Sequence, residues 1–189
     1  MEVRNTGRAA LTAGAAGVAG LAGLVLWLVL GSGGAVAVAV PGPVPGIVAA
    51  DCAKLAKVLP QTLLGQQRAA TTPASTRTAA WQSNGSDQPA ITLRCGVPEP
   101  TMLVSGSKNY DPTSEEAYIN GVAWLMEPTS GGYRFTAAQR YIYIEVDVPS
   151  AYTTETMALP GLAQAVIEAV PRGDGTQGPD TAPLPTPSD

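Results

Sequence analysis

The sequence contains no histidine and only two cysteines among its 189 residues. Without histidine, a Ser-His-Asp triad, a histidine general base and most catalytic zinc sites are excluded. Carboxylates, tyrosines, serines and lysines remain as side chains that could carry out chemistry. We therefore predict neither a metal site nor a cofactor.

Charged residues are also scarce, at 14% of the chain, with 11 basic and 15 acidic side chains and a net charge of −4. The basic residues are scattered along the sequence. A nucleic-acid interface needs clustered Lys and Arg, so this class of partner is excluded.

No charged residue occurs between Arg8 and Asp51. Within this run, Leu11–Leu30 is a predicted span, since twenty helical residues reach about 30 Å, the hydrocarbon thickness of a bilayer. Because positively charged flanks stay in the cytoplasm, Arg4 and Arg8 predict a single span with the rest of the chain outside. The alternative is a secreted protein, since sites of the form A-x-A near Ala37 and Ala39 resemble signal-peptidase sites. An apolar run this long exceeds the usual signal-peptide core of about 7–15 residues, which favours the uncleaved anchor.

The sequence thus predicts five consecutive segments. They are a cytoplasmic N-terminus (residues 1–8), a transmembrane helix (9–30), a Gly/Pro-rich spacer (31–50), an extracytoplasmic domain (51–171) and a disordered tail (172–189).

The two cysteines, Cys52 and Cys95, both fall in the predicted outer domain. In an oxidising compartment, two cysteines in one domain predict a single disulfide. A redox or metal-binding pair is the rival interpretation. The spacing is not C-x-x-C and no histidine completes a metal site, so we favour the disulfide.

Apolar periodicity predicts an α+β fold, with an antiparallel sheet and helices packed on one of its faces. The expected helices are Cys52–Leu59, capped by Asp51, and Pro160–Val170. The polar stretch from Arg68 to Arg77 is expected to be a loop. The expected strands include Thr78–Trp81, Ile91–Cys95, a hairpin turning at Asn120-Gly121, Tyr133–Phe135 and Tyr141–Val148.

In the last of these strands, alternate residues from Ile142 to Val148 are apolar, which places the intervening polar residues together on the opposite face. With Arg94 from a neighbouring strand, they form a candidate binding surface: Tyr141, Tyr143, Glu145, Asp147 and Arg94. Glu145 and Asp147 could also act as a carboxylate pair in an enzyme. The simpler interpretation is a solvated strand face on which Arg94 pairs with one of the carboxylates.

Five segments together resemble the DUF3515 family of actinobacterial membrane-anchored or secreted proteins of unknown function. They are Asp51–Leu55 with Leu59-Pro60, Ile91–Val97, Asn120–Leu125, Tyr133–Thr136 and Glu145–Pro149. The resemblance covers about residues 50–171. It strengthens the predicted location and disulfide, and it implies no catalytic residue.

From the sequence we therefore expect a non-enzymatic cell-envelope protein. It would be held by one membrane span and would present a small domain to another envelope protein or a wall component. A hydrolase or metal-dependent enzyme that uses the Glu145/Asp147 face is the alternative.

Overall fold

The computed structural model describes residues 34–152 and 154–173, all of which belong to one compact unit. The predicted membrane span at residues 9–30 lies outside this described part. Within the described part, no helix is long and apolar enough to cross a membrane.

Ten strands and two α-helices make up the unit, which confirms the α+β class. The strands are β1 (Val36–Ala37), β2 (Thr62–Leu63), β3 (Gln66–Ala69), β4 (Thr71–Thr72), β5 (Thr78–Trp81), β6 (Ile91–Val97), β7 (Glu116–Ile119), β8 (Val122–Thr129), β9 (Gly132–Ala138) and β10 (Tyr143–Pro149). The helices are α1 (Gly46–Val58) and α2 (Leu159–Ala169), and a 3-10 turn (Glu155–Ala158) leads into α2.

Eight strands form one antiparallel sheet in the order β2-β3-β5-β6-β10-β9-β8-β7. The turn between β7 and β8 is the predicted Asn120-Gly121 hairpin. Both residues have positive φ, 47° and 84°, which is the backbone that a two-residue turn of this kind needs and that Asn and Gly adopt most easily. A separate parallel pair joins β1 to β4.

One hydrophobic core lies between the helices and one face of the sheet. Alternate residues of each central strand point into it, as Ile91, Leu93 and Cys95 of β6 do, and all three are at most 2% exposed. Leu162 and Val166 of α2, and Val170 directly after it, are fully buried in the same cluster. The prediction of which residues of β6 and of the second helix face the core is therefore confirmed.

Helix α1 begins six residues earlier than expected, at Gly46 after Pro45, so the prediction that Asp51 caps it is wrong. Residues 46–50 are Gly-Ile-Val-Ala-Ala, and Val48 packs against the core, which extends the helix backwards. Asp51 is instead buried within the helix and accepts a hydrogen bond from Lys54 Nζ at 2.5 Å. The boundary expected at residue 51 thus lies inside a helix.

The segment before α1 is also attached to the domain. Val36 N donates to Ala70 O at 2.8 Å, and the buried Val38 donates its N–H to Thr72 O at 3.1 Å. The Arg77 guanidinium donates to the carbonyls of Pro41 and Gly42 at 3.2 and 2.8 Å. From residue 34 onwards, the predicted spacer is therefore part of the fold.

Two further expectations need correction. The stretch from Arg68 to Arg77 contains the end of β3 and all of β4, where a loop was expected. Arg68 and Ala69 of β3 pair with β5, and β4 pairs with β1, so backbone pairing defines these short polar strands without apolar alternation. The predicted tail at residues 172–189 begins with paired residues, because Arg172 forms a backbone bridge to Arg140 and Gly173 N donates to Gln139 O at 3.3 Å.

Candidate functional site

The disulfide between Cys52 and Cys95 is confirmed, with the two Cα atoms 5.7 Å apart. It joins α1 to the core-facing side of β6, and both cysteines are at most 1% exposed. Among the described residues no cysteine is free, so a thiol nucleophile is excluded there.

On the sheet face opposite the helices, strands β6, β8, β9 and β10 bring together two arginines and three carboxylates. We call Arg94, Glu127, Arg134, Glu145 and Asp147 the charged cluster. Strand register places Arg94 beside Glu145, Arg134 beside Asp147 and Glu127 beside Arg134.

Glu145 lies at the centre of the charged cluster and is only 7% exposed. Its Oε1 accepts from Arg94 Nε at 2.8 Å and also from Arg94 Nη2, and its Oε2 lies 3.3 Å from Arg134 Nε. The predicted pairing of Arg94 with a carboxylate of this strand is therefore present. The charge-assisted hydrogen bonds to Oε1 and the ion pair at Oε2 offset the desolvation of the buried carboxylate.

Arg134 also holds Asp147 through two parallel hydrogen bonds, from Nε to Oδ1 at 2.8 Å and from Nη2 to Oδ2 at 3.3 Å. The hydrogen bond to Asp147 raises the pKa of Arg134, and the nearby carboxylates add to this. Sequence reasoning missed Arg134, although it lies between Tyr133 and Phe135, and the alternation in that strand already placed it on the polar face.

Glu127 lies at the edge of the charged cluster. Burial raises the pKa of its carboxyl, the positive charge of Arg134 lowers it, and the negative charges of Glu145 and Asp147 raise it further. Within the described residues, no three side chains of His, Cys, Asp or Glu are placed so that they could hold a metal ion together. The charged cluster therefore consists of paired charges, with a guanidinium beside both Glu145 and Asp147.

The two tyrosines of the candidate surface lie in different places. Tyr143 is 8% exposed, and its hydroxyl bonds to Glu99 Oε1 at 3.1 Å. Tyr141 precedes β10, which starts two residues later than expected, and it belongs to the hydrophobic core. The prediction that Tyr141 shares the polar face is wrong because Tyr141 lies before the strand, where the alternation does not yet apply, and packs in the core beside Ile142.

A cleft that sequence reasoning missed lies at the β2–β3 end of the sheet. Its volume is about 480 Å³. We call it the Gln66 cleft, and its walls are Leu64, Gln66, Gln88, Ala151, Tyr152 and Thr154. These residues come from three distant parts of the chain, so no local pattern in the sequence connects them.

The Gln66 cleft is built on fixed side chains. Gln66 is 9% exposed and accepts a hydrogen bond from Ser83 N at 2.8 Å through its Oε1. Tyr152 donates its hydroxyl proton to Pro89 O at 2.8 Å, and burial raises the pKa of this tyrosine. Of the described residues that line the cleft, none carries a charge.

The chain belongs to the DUF3515 family, described as proteins of unknown function, whose model matches residues 16–174. The resemblance inferred from the sequence is thereby confirmed. Neither a curated protein nor a solved structure matches the chain.

Proposed function

We propose that this member of the DUF3515 family is a non-enzymatic, membrane-anchored protein that presents its domain to a component of the cell envelope. The observation that carries the proposal is the buried disulfide between Cys52 and Cys95. Such bonds persist in oxidising compartments and are rare where thiols are kept reduced. Together with the uncharged run before residue 51, the disulfide supports a domain outside the cytoplasmic membrane.

The attached segment before α1 supports an uncleaved anchor. Cleavage after Ala37 would remove β1, and cleavage after Ala39 would also remove Val38, which is 5% exposed. Either cut would leave the Ala70 carbonyl without its β1 donor. A mature protein that retains residues 36–38 keeps these contacts.

The charged cluster supports a non-enzymatic role. A carboxylate pair in a glycosidase needs one protonated acid and one free carboxylate. Here Glu145 and Asp147 both lie in charge-assisted bonds to arginines, and Glu145 is almost fully covered. These bonds join three strands, β6, β9 and β10, and leave little of Glu145 open to a substrate.

The location is tested in intact cells with a membrane-impermeant maleimide. We compare Lys57→Cys, at an exposed position of α1, with Thr6→Cys, before the predicted span, in chains that keep both native cysteines. We expect the cysteine at position 57 to be labelled in intact cells and the one at position 6 only after lysis. Labelling of both only after lysis would overturn the proposal, as would native cysteines that react without a reductant.

Cleavage is tested on the same preparation by intact mass measurement. We expect the purified membrane protein to retain residues 36–38. A mature chain that starts at Val38 or Val40 would support the secreted alternative instead.

A further inference from the structure

The Gln66 cleft has the size of a small-ligand site. Clefts of about 300–1,000 Å³ enclose compact ligands and usually combine apolar walls with a few placed polar groups. The Gln66 cleft has a volume of about 480 Å³ and is lined by two apolar residues, one aromatic residue and three residues with uncharged polar side chains.

Gln66 is the polar group that points to a ligand. Its Oε1 is occupied by the N–H of Ser83, which fixes the orientation of the amide and leaves Nε2 as a donor. Within the described part of the chain, this nitrogen has no acceptor, although the residue is more than nine-tenths buried. Gln66 Nε2 is not among the buried unpartnered atoms of the described residues, so it is open to the cleft, where an acceptor oxygen of water or of a ligand can bond to it.

The other walls define the chemistry of that ligand. The side chains of Gln88 and Thr154 are exposed, and each carries both a donor and an acceptor, as hydroxyl-rich ligands require. The Tyr152 hydroxyl proton is held by Pro89, so the cleft is offered mainly the ring of this residue. Since the described lining has no charged side chain, it provides no opposite charge for a charged ligand, and an uncharged ligand fits it better.

Leu64 packs partly against the hydrophobic core and also lines the cleft, from a strained position in a turn. Leu64 and Gly65 form the two-residue turn between β2 and β3, with φ of 46° and 81°. Asn or Gly suits the first position of such a turn, and leucine is strained there. Strained residues cluster at functional sites, and this leucine lines the cleft.

We propose that the Gln66 cleft binds an uncharged saccharide unit. A sugar ring presents hydroxyl oxygens to Gln66, Gln88 and Thr154, and its C–H face packs against Tyr152 and Leu64. The identification with an envelope saccharide rests on the proposed function, because such glycans lie outside the membrane.

The test uses the full-length protein in phospholipid nanodiscs, since maltoside detergents would supply a competing sugar. Saturation-transfer NMR is recorded with chitotetraose and with maltotetraose as uncharged saccharides, and with tetra-alanine as a peptide probe. We expect saturation transfer to the ring protons of at least one saccharide. No transfer to either saccharide, or transfer to tetra-alanine alone, would overturn the proposal.

Three variants locate the binding. Gln66→Glu keeps the acceptor for Ser83 N and removes the donor, whereas Gln88→Ala changes an exposed side chain and leaves the fold intact. Each is expected to raise the Kd of the saccharide about fivefold, the effect of one hydrogen bond. Gln67→Ala is the matched control, because Gln67 is an exposed neighbour that does not line the cleft.

Saccharide binding that is unchanged in both Gln66→Glu and Gln88→Ala would place the site elsewhere and overturn the proposal. Retained binding in the Gln67→Ala control, with loss in the other two, supports it. Saccharide binding to the purified protein does not depend on the side of the membrane on which the domain lies. A negative binding result therefore leaves the proposed location to the maleimide test, and a negative maleimide test leaves the binding result valid.

Discussion

Arg94 and Glu145 face each other across the central strands β6 and β10, and their side chains are joined by two hydrogen bonds to a single carboxylate oxygen. Glu145 is 7% exposed, and its other oxygen lies 3.3 Å from Arg134. This pair links two central strands on the sheet face away from the helices, so its removal is expected to lower the stability of the fold.

We predict that Glu145→Ala lowers the free energy of unfolding by about 3 kcal/mol, because it leaves the half-buried Arg94 guanidinium without its carboxylate. Urea unfolding followed by the fluorescence of the buried Trp81 and Trp124 measures the loss. Glu116→Gln, at an exposed edge position, should change stability by less than about 0.5 kcal/mol.

Replacement of both partners separates the ion pair from simple packing. In Arg94→Leu/Glu145→Leu no unpaired charge remains, so the double variant should be more stable than Glu145→Ala. If the double variant is the least stable of the set, the ion pair itself is a large net source of stability and the desolvation argument is wrong.

The partly buried position of Glu127 predicts that the stability of the fold depends on the ionisation of this carboxyl, and therefore on pH. Burial raises the pKa of this carboxyl above its usual value of 4.5, so the folded state holds the proton more tightly than the unfolded state does. The contribution of Glu127 to stability is therefore fully present below pH 4.5 and is lost as the pH rises through the raised pKa.

Carbon-13 NMR titration of the side-chain carboxyls measures this pKa directly, and we expect a midpoint above 4.5 for Glu127. In Arg134→Gln the midpoint should move higher still, because the positive charge that lowers it is gone. Glu127→Gln serves to assign the resonance. A midpoint at or below 4.5 in the parent protein contradicts the prediction.

The disulfide gives a third prediction. In the chain-entropy description, a bond that closes a loop of about 44 residues stabilises the fold by about 4 kcal/mol. We expect Cys52→Ala/Cys95→Ala to lose a stability of this order and to lower the Tm. A reductant should destabilise the parent protein by a similar amount and leave the double variant unchanged. Sensitivity of the variant to the reductant would mean that another process is being measured.

Local patterns in the sequence predicted the elements whose residues alternate or turn in a simple way. Ile91, Leu93 and Cys95 alternate, so the inward direction of Cys95 followed from the phase of its strand. Asn120 and Gly121 favour positive φ, so the hairpin was visible in two residues. Arg94 and Glu145 could be paired because each lies on the polar side of an alternating strand.

The elements that were missed depend on tertiary contacts. Strands β3 and β4 are short and polar and show no apolar alternation. Helix α1 extends back to Gly46 because Val48 packs against the hydrophobic core. The Gln66 cleft brings together residues that are far apart in the sequence, and the fold creates their proximity: Leu64, Gln66, Gln88, Ala151, Tyr152 and Thr154.

The last prediction concerns the segment that precedes α1. Val38 is 5% exposed, and its N–H donates to Thr72 O, whereas the neighbouring Ala39 is exposed. Val38→Asp would place a carboxylate in this buried position, so we expect it to lower the free energy of unfolding by about 2 kcal/mol or more. Ala39→Asp introduces the same charge one residue later and should have an effect below about 0.5 kcal/mol.

Urea unfolding of the two variants makes the comparison. Equal effects would mean that residues 36–38 add nothing to the fold, and the structural argument against cleavage after Ala37 would then be lost. A clear difference would show that the chain uses this stretch as part of its domain, because a freely hanging tether would tolerate the charge at either position.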